Sequence, residues 1–454
     1  MFRNQLVKSV AVVYRSLSKP ALSARLFSIS TVRSLSVLPS SYTHLNAFST
    51  QRRLFSESAS SAADIKKRIE ACTYNDAAKE KIIQEEAKKK NFAALRKLGE
   101  QLIENKDTKE LGILCFVQAA DQGDLLSQFA VGNLYMQRYW QEKMKPDFDP
   151  KLRDNFMEKA MLWYDMAAKQ GHIPSKVGYA KMCLEDPTRD NVAKAMSIYE
   201  EADKAKNVDA TYNLGFIYYE GLYNVPKDRV KGFEYLRKAA DNGDISACYF
   251  LGFSFHRGLF ENDNPNAAVP TTSKPGEGGR QLCEKDMKKS LGYLERAAQG
   301  GHSKAQLYLH QMYKNGDGVE KDLAKAKDYL VLAMRQGDPE ALFIRGNQYY
   351  AGEDGESVDK KKALQYFLDA GARGSADAMC SAGAMIYNGE GQEKDLKKAF
   401  EVYTQAASLG SLAAIKNIAS MYLVGEGVEK DPETAKNLMK FIEEEEKKLK
   451  GNEN

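Results

Sequence analysis

The residues that most often do chemistry in proteins are scattered in this chain. Its histidines are His44, His172, His256, His302 and His310, and no two of them have the His-x-x-x-His spacing of a metal site on a helix. Six cysteines occur without a Cys-x-x-Cys pair, so the usual spacing of a structural zinc site is also missing. These patterns predict no metal site and no catalytic residues.

Two kinds of loop could hold a ligand, and their surroundings argue against it. A glycine-rich run lies at residues 276–280, but it follows no predicted strand and is not a phosphate-binding Gly-x-x-x-x-Gly-Lys loop. The acidic turns at Asp317, Glu353 and Glu390 lack the alternating oxygen ligands of a calcium loop and recur wherever a hairpin turns. The sequence therefore predicts a protein that is not an enzyme and holds no cofactor.

The elements that carry these residues come from one repeated stretch. Ala305, Leu309 and Tyr313 recur every fourth residue and so share one face of a helix. A glycine-rich turn and a second apolar run follow, and the run closes on a glycine. Successive closing glycines lie 37 and 36 residues apart, at Gly337, Gly374 and Gly410. A period in the mid-thirties is typical of an array of helical hairpins.

Each unit has residues that suit the ends of its two helices. An aspartate precedes the second helix and can accept hydrogen bonds from its first amides, at Asp322, Asp395 and Asp431. Pro432 suits a first helical position. The final glycine can end the second helix in the left-handed conformation, although Lys206 replaces it in one unit. His310 replaces the glycine of the first helix in another unit. No hairpin buries its apolar face alone, so neighbours must stack.

The pattern resembles the Sel1-like repeat, a relative of the tetratricopeptide repeat. It consists of a small residue, Leu-Gly-x-x-Tyr, Gly-x-Gly-Val-x-x-Asp, Lys-Ala, an aromatic pair, Ala-Ala and glycine. The best copies are residues 210–243, 305–337, 341–374 and 378–410, and weaker copies begin at Ala94, Ser127, Ser175, Ala247 and Ala414. The resemblance covers about residues 94–439. It implies an all-α, right-handed solenoid of about nine antiparallel helical hairpins.

Residues 1–56 differ in composition from the rest of the chain. They contain eight Lys and Arg, many serines and no acidic residue before Glu57, which is typical of a mitochondrial transit peptide. Arg-Leu-Phe-Ser occurs twice and resembles an arginine-guided processing site, so we expect removal near Phe55. A basic tail on a cytosolic protein and a chloroplast address are the alternatives. The apolar run at residues 10–13 is too short to span a bilayer, and no later stretch does better, so no transmembrane segment is predicted.

Removal of this segment would leave 58 basic and 62 acidic residues, a net charge near −4. A mildly acidic chain without a basic stripe is a poor nucleic-acid binder, because phosphate contacts need clustered Lys and Arg. Residues 57–91 combine basic runs with interleaved glutamates, which predicts a linker and a solvated, charged helix. The repeat array then covers residues 92–450, and residues 451–454 form a tail.

Two steps between opening residues are long, at 48 and 58 residues, whereas the others run from 33 to 37. The extra length lies near residues 141–150 and 259–283, between the two helices of a hairpin. The second insertion is rich in Asn, Pro, Gly and Thr. We expect it to be disordered, with a partner-binding loop as the alternative.

The first helix of each unit predicts a binding groove. At 100° per residue, positions 0, 4 and 8 after the opening residue face the core, and positions 2, 6 and 9 lie on the opposite face. In tetratricopeptide-like arrays that face lines an inner groove, so we expect its side chains to bind a partner protein. Packing against adjacent hairpins is the alternative. The predicted groove residues are Tyr212, Phe216, Tyr219, Tyr249, Phe253, His256, Phe343, Asn347, Tyr350 and Tyr387.

Together these features predict a non-enzymatic mitochondrial scaffold or adaptor in the matrix, whose partners are mitochondrial proteins. The resemblance implies duties such as respiratory-complex assembly, quality control or the relay of import stress. An adaptor of endoplasmic-reticulum degradation is disfavoured, because the N-terminus has no secretory signal.

The resemblance also implies an alternative of another class. Sel1-like proteins of the intermembrane space can be disulfide-stapled and act in cytochrome oxidase assembly. A thiol- or haem-dependent assembly factor of this kind would use Cys248, Cys283 and His256. The irregular cysteine spacing disfavours it, since related proteins of that class carry more, regularly paired cysteines.

Overall fold

The computed structural model describes residues 59–72, 76–105, 107–145, 148–260 and 281–451. The predicted transit peptide and residues 261–280 of the second insertion lie outside the described residues. The described part is all-α apart from one antiparallel pair of short strands, β1 (Leu259–Phe260) and β2 (Gln281–Cys283). A 3₁₀ turn spans Leu222–Asn224.

Twenty α-helices lie in the described residues, and they fall into two compact units. The N-terminal unit holds α1 to α11 with both strands, and the C-terminal unit holds α12 to α20. The helices of the N-terminal unit are α1 (Ala59–Glu70), α2 (Asp76–Lys88), α3 (Phe92–Ile103), α4 (Lys109–Asp121), α5 (Leu125–Lys143), α6 (Pro150–Lys169), α7 (Ile173–Cys183), α8 (Arg189–Lys204), α9 (Val208–Glu220), α10 (Arg229–Asp241) and α11 (Ile245–Arg257). Those of the C-terminal unit are α12 (Met287–Gln299), α13 (Ser303–Asn315), α14 (Leu323–Arg335), α15 (Pro339–Ala351), α16 (Lys360–Ala372), α17 (Ala376–Asn388), α18 (Leu396–Ser408), α19 (Leu412–Val424) and α20 (Pro432–Gly451).

The second helices begin where the aspartates predict. The carboxylate of Asp322 accepts a hydrogen bond from the backbone amide of Lys325 at 3.0 Å, and Pro432 is the first residue of α20. The first amides of a helix have no carbonyl acceptor within the helix, and a carboxylate at this position accepts a hydrogen bond from one of them. Its negative charge also lies at the positive end of the helix dipole. The predicted caps are confirmed at Asp322, Asp395 and Asp431.

Helix ends use the left-handed backbone region. Gly316 ends α13 with a φ of 76°, and its amide donates to the Met312 carbonyl at 2.9 Å. After the second helix α10, Gly243 has a φ of 96°, and after α8 Lys206 stands at the equivalent place with a φ of 60°. A residue with a β-carbon is strained in this region, so the hairpin fold at Lys206 overrides the local preference of the residue.

The core of each hairpin lies between its two helices and the preceding hairpin. The opening residues Ala341 and Ala378 are fully buried, as the repeat pattern predicts. Ala341 packs against Leu330 and Ala333 of the preceding helix α14. Helices α3 to α10 in the N-terminal unit and α13 to α20 in the C-terminal unit supply both helices of eight of the nine predicted units.

The prediction of a linker and a solvated helix over residues 57–91 was wrong for the residues that the structure describes there, 59–72 and 76–91. Helices α1 and α2 pack on α3 and α4, and Ile65, Ile69 and Ile83 are buried there. Ala62, Ile65 and Ile69 are spaced by three and four residues and so lie on one face of the helix. This apolar stripe is narrow and is surrounded by many charged residues. The high charge content concealed this stripe, and the pair acts as an additional hairpin at the start of the array.

A buried carboxylate ties this additional hairpin together. Glu86 accepts hydrogen bonds from Arg68 at 2.8 Å, Lys89 at 3.0 Å and Asn91 at 3.1 Å. Burial opposes ionisation, but these three donors outweigh it and lower the pKa of Glu86 to about 2. The charged residues here therefore stabilise the packing of α1 on α2.

The extra length near residues 141–150 lengthens both helices of the hairpin, so that α5 ends at Lys143 and α6 begins at Pro150. Helices α5 and α6 have 19 and 20 residues, compared with 13 in α9. The buried carboxylate of Glu142 in α5 accepts a hydrogen bond at 3.0 Å from the amide of Asp149, the residue before α6. This bond links the end of one helix to the start of the next.

The second insertion is ordered at both ends. Leu259 pairs with Cys283, and Phe260 pairs with Gln281, in the antiparallel ladder of β1 and β2. The expectation of disorder was therefore wrong for residues 259–260 and 281–283. It is untested for residues 261–280.

Candidate protein-binding surfaces

Three of the ten predicted groove residues are buried. Tyr212 and Tyr219 on α9 are 5% and 0% exposed, and His256 on α11 is 6% exposed. The Tyr219 ring meets Phe250 edge to face, with 4.9 Å between the ring centroids, and its backbone lies against Gly232 of α10. The prediction that these three side chains face an open groove was therefore wrong.

Phe343 and Tyr350 face the second helix of their own hairpin. Their ring centroids lie 5.5 and 6.4 Å from that of Phe367 on α16. Gly346 lies between them in sequence and also contacts Phe367. The prediction assumed one core face, whereas the first helix is covered on two sides. Helix α14 of the preceding hairpin packs on Ala341 at position 0, and the second helix α16 contacts positions 2, 5, 8 and 9. Tyr350 at position 9 is nevertheless 36% exposed.

Position 9 also joins successive hairpins in the C-terminal unit. The Tyr387 hydroxyl donates a hydrogen bond to the carboxylate of Glu426, in the turn after α19, and this bond raises the pKa of Tyr387. Tyr350 makes the same kind of contact with Glu390, in the turn after α17. Tyr387 is half-buried by its contact, so its role in the fold is to link hairpins.

Position 6 is the place on the first helix that faces away from both packed sides. Asn347 on α15 is exposed, and Phe216 on α9 and Phe253 on α11 are half-buried. Phe216 and Phe253 occupy matching positions in consecutive repeats of the N-terminal unit. The groove was predicted on the assumption that positions 2, 6 and 9 face away from the core. Among these three, position 6 agrees with that assumption.

A neighbouring side chain contacts each of the two rings at position 6. The Phe216 ring stacks on Tyr212, with centroids 6.1 Å apart and an interplanar angle of 9°. The Arg257 guanidinium lies 5.1 Å from the Phe253 ring centroid. Tyr249 is half-buried one helical turn before Phe253. We call Phe216, Tyr249 and Phe253 the aromatic surface.

A titratable group caps the helix that carries Tyr249 and Phe253. Asp244 caps α11, accepting a hydrogen bond from the Ala247 amide at 2.7 Å, and it is 9% exposed. Burial raises the pKa of Asp244 to about 6, and the negative charge of Asp209 adds to the effect, while Lys181 opposes it. Tyr249 and Phe253 therefore lie on a helix whose capping carboxylate has a raised pKa.

A charged network inside the C-terminal unit was not predicted from the sequence. The Arg345 guanidinium lies 2.9 Å from the carboxylate of Glu356, and the Gln348 amide donates to Asp354 at 2.8 Å. Lys314 pairs with Asp354 at 2.8 Å. Burial disfavours the charge on Asp354, but the bonds from Lys314 and Gln348 lower its pKa overall. The charges compensate one another, so the network links repeats and offers no acid–base group.

His310 lies next to this network, at the position where other first helices have a glycine. It is 2% exposed, and its Nδ1 lies 2.8 Å from the Ala326 carbonyl, so Nδ1 carries the proton. Burial lowers the pKa of His310. The replacement of glycine by histidine was the sequence signal for a local change in packing.

The cysteines lack the features of a redox or metal site. All six lie in the described residues, where no disulfide is formed and no three metal-ligating side chains cluster. Cys248, Cys283 and His256 therefore do not form a three-residue ligand set. Burial raises the pKa of Cys115 to about 12 and raises that of Cys183, so both remain protonated thiols of low reactivity.

The fold and its surfaces define an all-α repeat protein with the architecture of a protein-interaction scaffold. The family model of the Sel1 repeat matches eight segments, which together cover more than half of the chain. The chain therefore belongs to the Sel1 repeat family. The matched segments are residues 152–172, 208–244, 245–269, 276–302, 303–338, 339–375, 376–411 and 412–441.

Several curated proteins are similar to parts of this chain. The alginate biosynthesis protein AlgK of Pseudomonas syringae is 30% identical over 171 residues, which are 38% of this chain and 31% of that protein. The cytochrome c oxidase assembly factor 7 homolog of Drosophila melanogaster is 28% identical over 188 residues, 36% of this chain and 69% of that protein. The chitin synthase regulator SKT5 of Saccharomyces cerevisiae is 27% identical over 220 residues, 42% of this chain and 31% of that protein.

A solved Sel1 repeat protein from Oxalobacter formigenes is 24% identical, with a TM-score of 0.47, over 75% of this chain and 89% of that chain. No catalytic family is indicated by the comparisons, and the Sel1 repeats indicate a scaffold for protein interactions. Among the described helices, none combines the length and apolar character needed to cross a membrane.

Proposed function

We propose that this protein is a non-enzymatic mitochondrial scaffold that binds partner proteins through the aromatic surface. The observation that carries the proposal is the matched placement of Phe216 and Phe253 at position 6 of two first helices, each half-buried. Aromatic rings with part of their area exposed are the residues that most often anchor a protein interface. The fold holds both rings in place before a partner arrives.

The chemistry of the surface favours a partner segment with apolar side chains. Such a segment buries the exposed parts of Phe216 and Phe253. At position 10 the same two helices carry Glu220 and Arg257, so charges of both signs border the rings. These charges would fix the direction in which the segment binds.

The mitochondrial part of the proposal rests on the N-terminus. Its 56 residues are rich in Lys, Arg and Ser and contain no acidic residue, and an arginine precedes the predicted processing site near Phe55. A fusion of residues 1–56 to a reporter should enter mitochondria and be shortened near Phe55. Retention of the fusion in the cytosol would contradict this location.

We infer respiratory-complex assembly, quality control or the relay of import stress as the process, with the matrix as the compartment. The similarity to cytochrome c oxidase assembly factor 7 of Drosophila and Xenopus supports the first of these. The partner is then a mitochondrial protein.

Co-purification from mitochondria tests the aromatic surface. The double variant Phe216→Ser/Phe253→Ser should lose partners that the wild-type chain retains, while its melting temperature changes little. Leu162→Ser is the matched control, because Leu162 is 56% exposed in the same unit and lies on a second helix. Equal losses in both variants would contradict a specific surface.

A stability control separates binding from folding. Leu214 and Leu251 are fully buried, so Leu251→Ala should lower the unfolding free energy by about 2–5 kcal/mol. If Phe216→Ser and Phe253→Ser destabilise the chain as much as Leu251→Ala, the rings belong to the core. The binding surface would then lie elsewhere.

A further inference from the structure

The C-terminal unit departs from its repeat pattern at two places, and both lie at one recess. His310 stands on α13 where other first helices have a glycine. The turn after α15, from Gly352 to Asp359, is one residue longer than the turns from Gly316 to Asp322 and from Gly389 to Asp395. His310 and Asp354 of the longer turn both line a recess between these two hairpins, which has a volume of about 250 Å³ including its open mouth.

The longer turn leaves one side of the recess uncovered. In other repeats of this unit, the second glycine of the turn packs against the first residue of the preceding second helix. The pairs are Gly318 with Met287, Gly391 with Lys360 and Gly427 with Leu396. Gly355 of the longer turn has no such neighbour, since no described atom beyond the adjacent residues lies within 4 Å of a β-carbon there. The equivalent first residue, Leu323 of α14, is therefore 45% exposed, and it borders the recess.

His310 brings a hydrogen-bond acceptor to the wall of the recess. The residue is 2% exposed, and its Nδ1 donates to the Ala326 carbonyl at 2.8 Å, so Nε2 of the neutral ring has a lone pair and no hydrogen. Nε2 makes no hydrogen bond to any residue that the structure describes. A buried acceptor without a donor is costly, so the recess favours an occupant that supplies a donor hydrogen.

The charged groups around the recess are already paired with one another. Lys314 lies 2.8 Å from Asp354. Glu356 lies 2.9 Å from both Lys327 and Arg345. A carboxylate ligand has no hydrogen to donate to Nε2, and a cationic ligand would compete with the three basic side chains for the same carboxylates. An uncharged donor such as a hydroxyl group avoids both costs.

We propose that this recess binds an uncharged segment of a partner protein that donates a serine hydroxyl to Nε2 of His310. At about 250 Å³ the recess is smaller than the roughly 300–1,000 Å³ typical of sites for free small molecules, and it suits one short side chain. The rest of the segment covers Leu323, in the place that a turn glycine takes in the other repeats. A glycine beside the serine lets the segment approach as closely as that turn does. This inference does not depend on the aromatic surface, which lies in the other unit.

Two blocked peptides test the proposal on the full chain. They are acetyl-Gly-Ser-Gly-Val-amide and acetyl-Gly-Ala-Gly-Val-amide, which differ in one hydroxyl group and carry no charge. The serine peptide should bind at least about fivefold more tightly in isothermal titration calorimetry, because only its side chain can pair with Nε2. Equal affinities of the two peptides would overturn the proposal, and so would a lack of binding of the serine peptide at millimolar concentration.

Nitrogen-15 labelling of the histidines tests the contact on the wild-type chain. The Nε2 resonance of His310 should shift as the serine peptide is added and should stay unchanged with the alanine peptide. The variant His310→Gly assigns the resonance by its loss, and it should bind the two peptides equally. An unchanged Nε2 resonance at saturation with the serine peptide would contradict the proposal and leave water as the donor to Nε2.

Two leucine substitutions on α14 separate the recess from the rest of the surface. Leu323→Lys introduces the residue type that Lys360 provides at the same place in α16, and it should weaken both peptides by about fivefold or more. Leu332→Lys makes the same change at a side chain that is 38% exposed and does not line the recess, so it should leave both affinities unchanged. Equal weakening by the two variants would place the peptides elsewhere and overturn the proposal. Phe216→Ser should alter none of these results, so the failure of the recess and that of the aromatic surface can be recognised separately.

Discussion

Gly346 and Phe367 meet so closely across the α15–α16 hairpin that a β-carbon on Gly346 would lie 2.5 Å from Cε1 of the ring. The same relationship between a first-helix glycine and a second-helix ring recurs, with distances of 2.6 to 2.7 Å. It joins Gly99 to Phe116, Gly132 to Tyr164 and Gly383 to Tyr403. The glycine therefore sets how closely the two helices of a hairpin approach.

Gly346→Ala should lower the unfolding free energy by about 1–3 kcal/mol, because the new methyl group overpacks a filled site. Phe343 and Tyr350 flank the Phe367 ring and limit its movement. Gly292→Ala in α12 is the control, because nothing lies within 4 Å of a β-carbon there. It should stabilise the chain by about 0.5–1 kcal/mol through helix propensity. Urea denaturation measures both, and a neutral Gly346→Ala would refute the close contact.

Lys206→Gly should stabilise the chain by about 0.5–1 kcal/mol. The left-handed conformation costs a residue with a β-carbon about 1–2 kcal/mol, and the added freedom of glycine in the unfolded chain offsets part of the gain. The reverse change, Gly243→Lys, should destabilise by a similar amount, since Gly243 has a φ of 96° and open space around it. Denaturation midpoints that move in the same direction for both variants would contradict this account.

Asp244→Asn should stabilise the chain at neutral pH. Asparagine can still cap α11, and it carries no buried charge. The folded pKa of Asp244 is about 6, above its ordinary value of 3.8, so its ionisation destabilises the fold as pH rises from about 4 to 6. The gain should therefore be about 1–3 kcal/mol at pH 7.5 and should vanish near pH 4. Thermal melting across this pH range measures it.

Asp124→Asn provides the opposite control. Asp124 caps α5 in the same way, but Arg96 lies 2.5 Å from its carboxylate. Asparagine at this position removes the ion pair and should lower stability at pH 7.5. If both substitutions shift the melting temperature alike, the burial of the Asp244 charge is not the cause.

The six cysteines should all react with an alkylating reagent under denaturing conditions without prior reduction, because no disulfide is formed in the structure. Mass spectrometry of the native protein isolated from mitochondria measures this. If two or more pairs react only after reduction, the intermembrane space and the thiol-dependent assembly factor become the better interpretation.

The helical hairpins could be predicted from the sequence because each unit repeats its own signals. Asp322 caps a helix, Gly316 ends one, and Ala341 is buried, all as the pattern predicts. Each of these signals acts on residues that are close to it in the sequence, so its effect on the local structure can be predicted from the sequence spacing alone.

The exposed face of the first helices could be predicted only in part, because burial depends on two neighbouring elements at once. A helical wheel gave Tyr219 and Phe343 the same side as Phe216, yet the second helix covers the first two. The glycine at position 5 was the available signal, since its lack of a side chain marks the side on which another helix approaches. A charged helix was predicted before the array, but the packing of α1 and α2 on it was missed for a related reason. The few isoleucines that become buried are outnumbered in the sequence by solvated charges.

The most direct test of the scaffold proposal is photo-crosslinking in intact mitochondria. A benzoylphenylalanine is placed at position 216 or 253 of the full chain, and at the exposed Leu162 as a control. We expect positions 216 and 253 to yield the same protein adduct and position 162 to yield none. Adducts from position 162 alone, or no adduct from 216 and 253, would contradict the claim that the aromatic surface binds a partner.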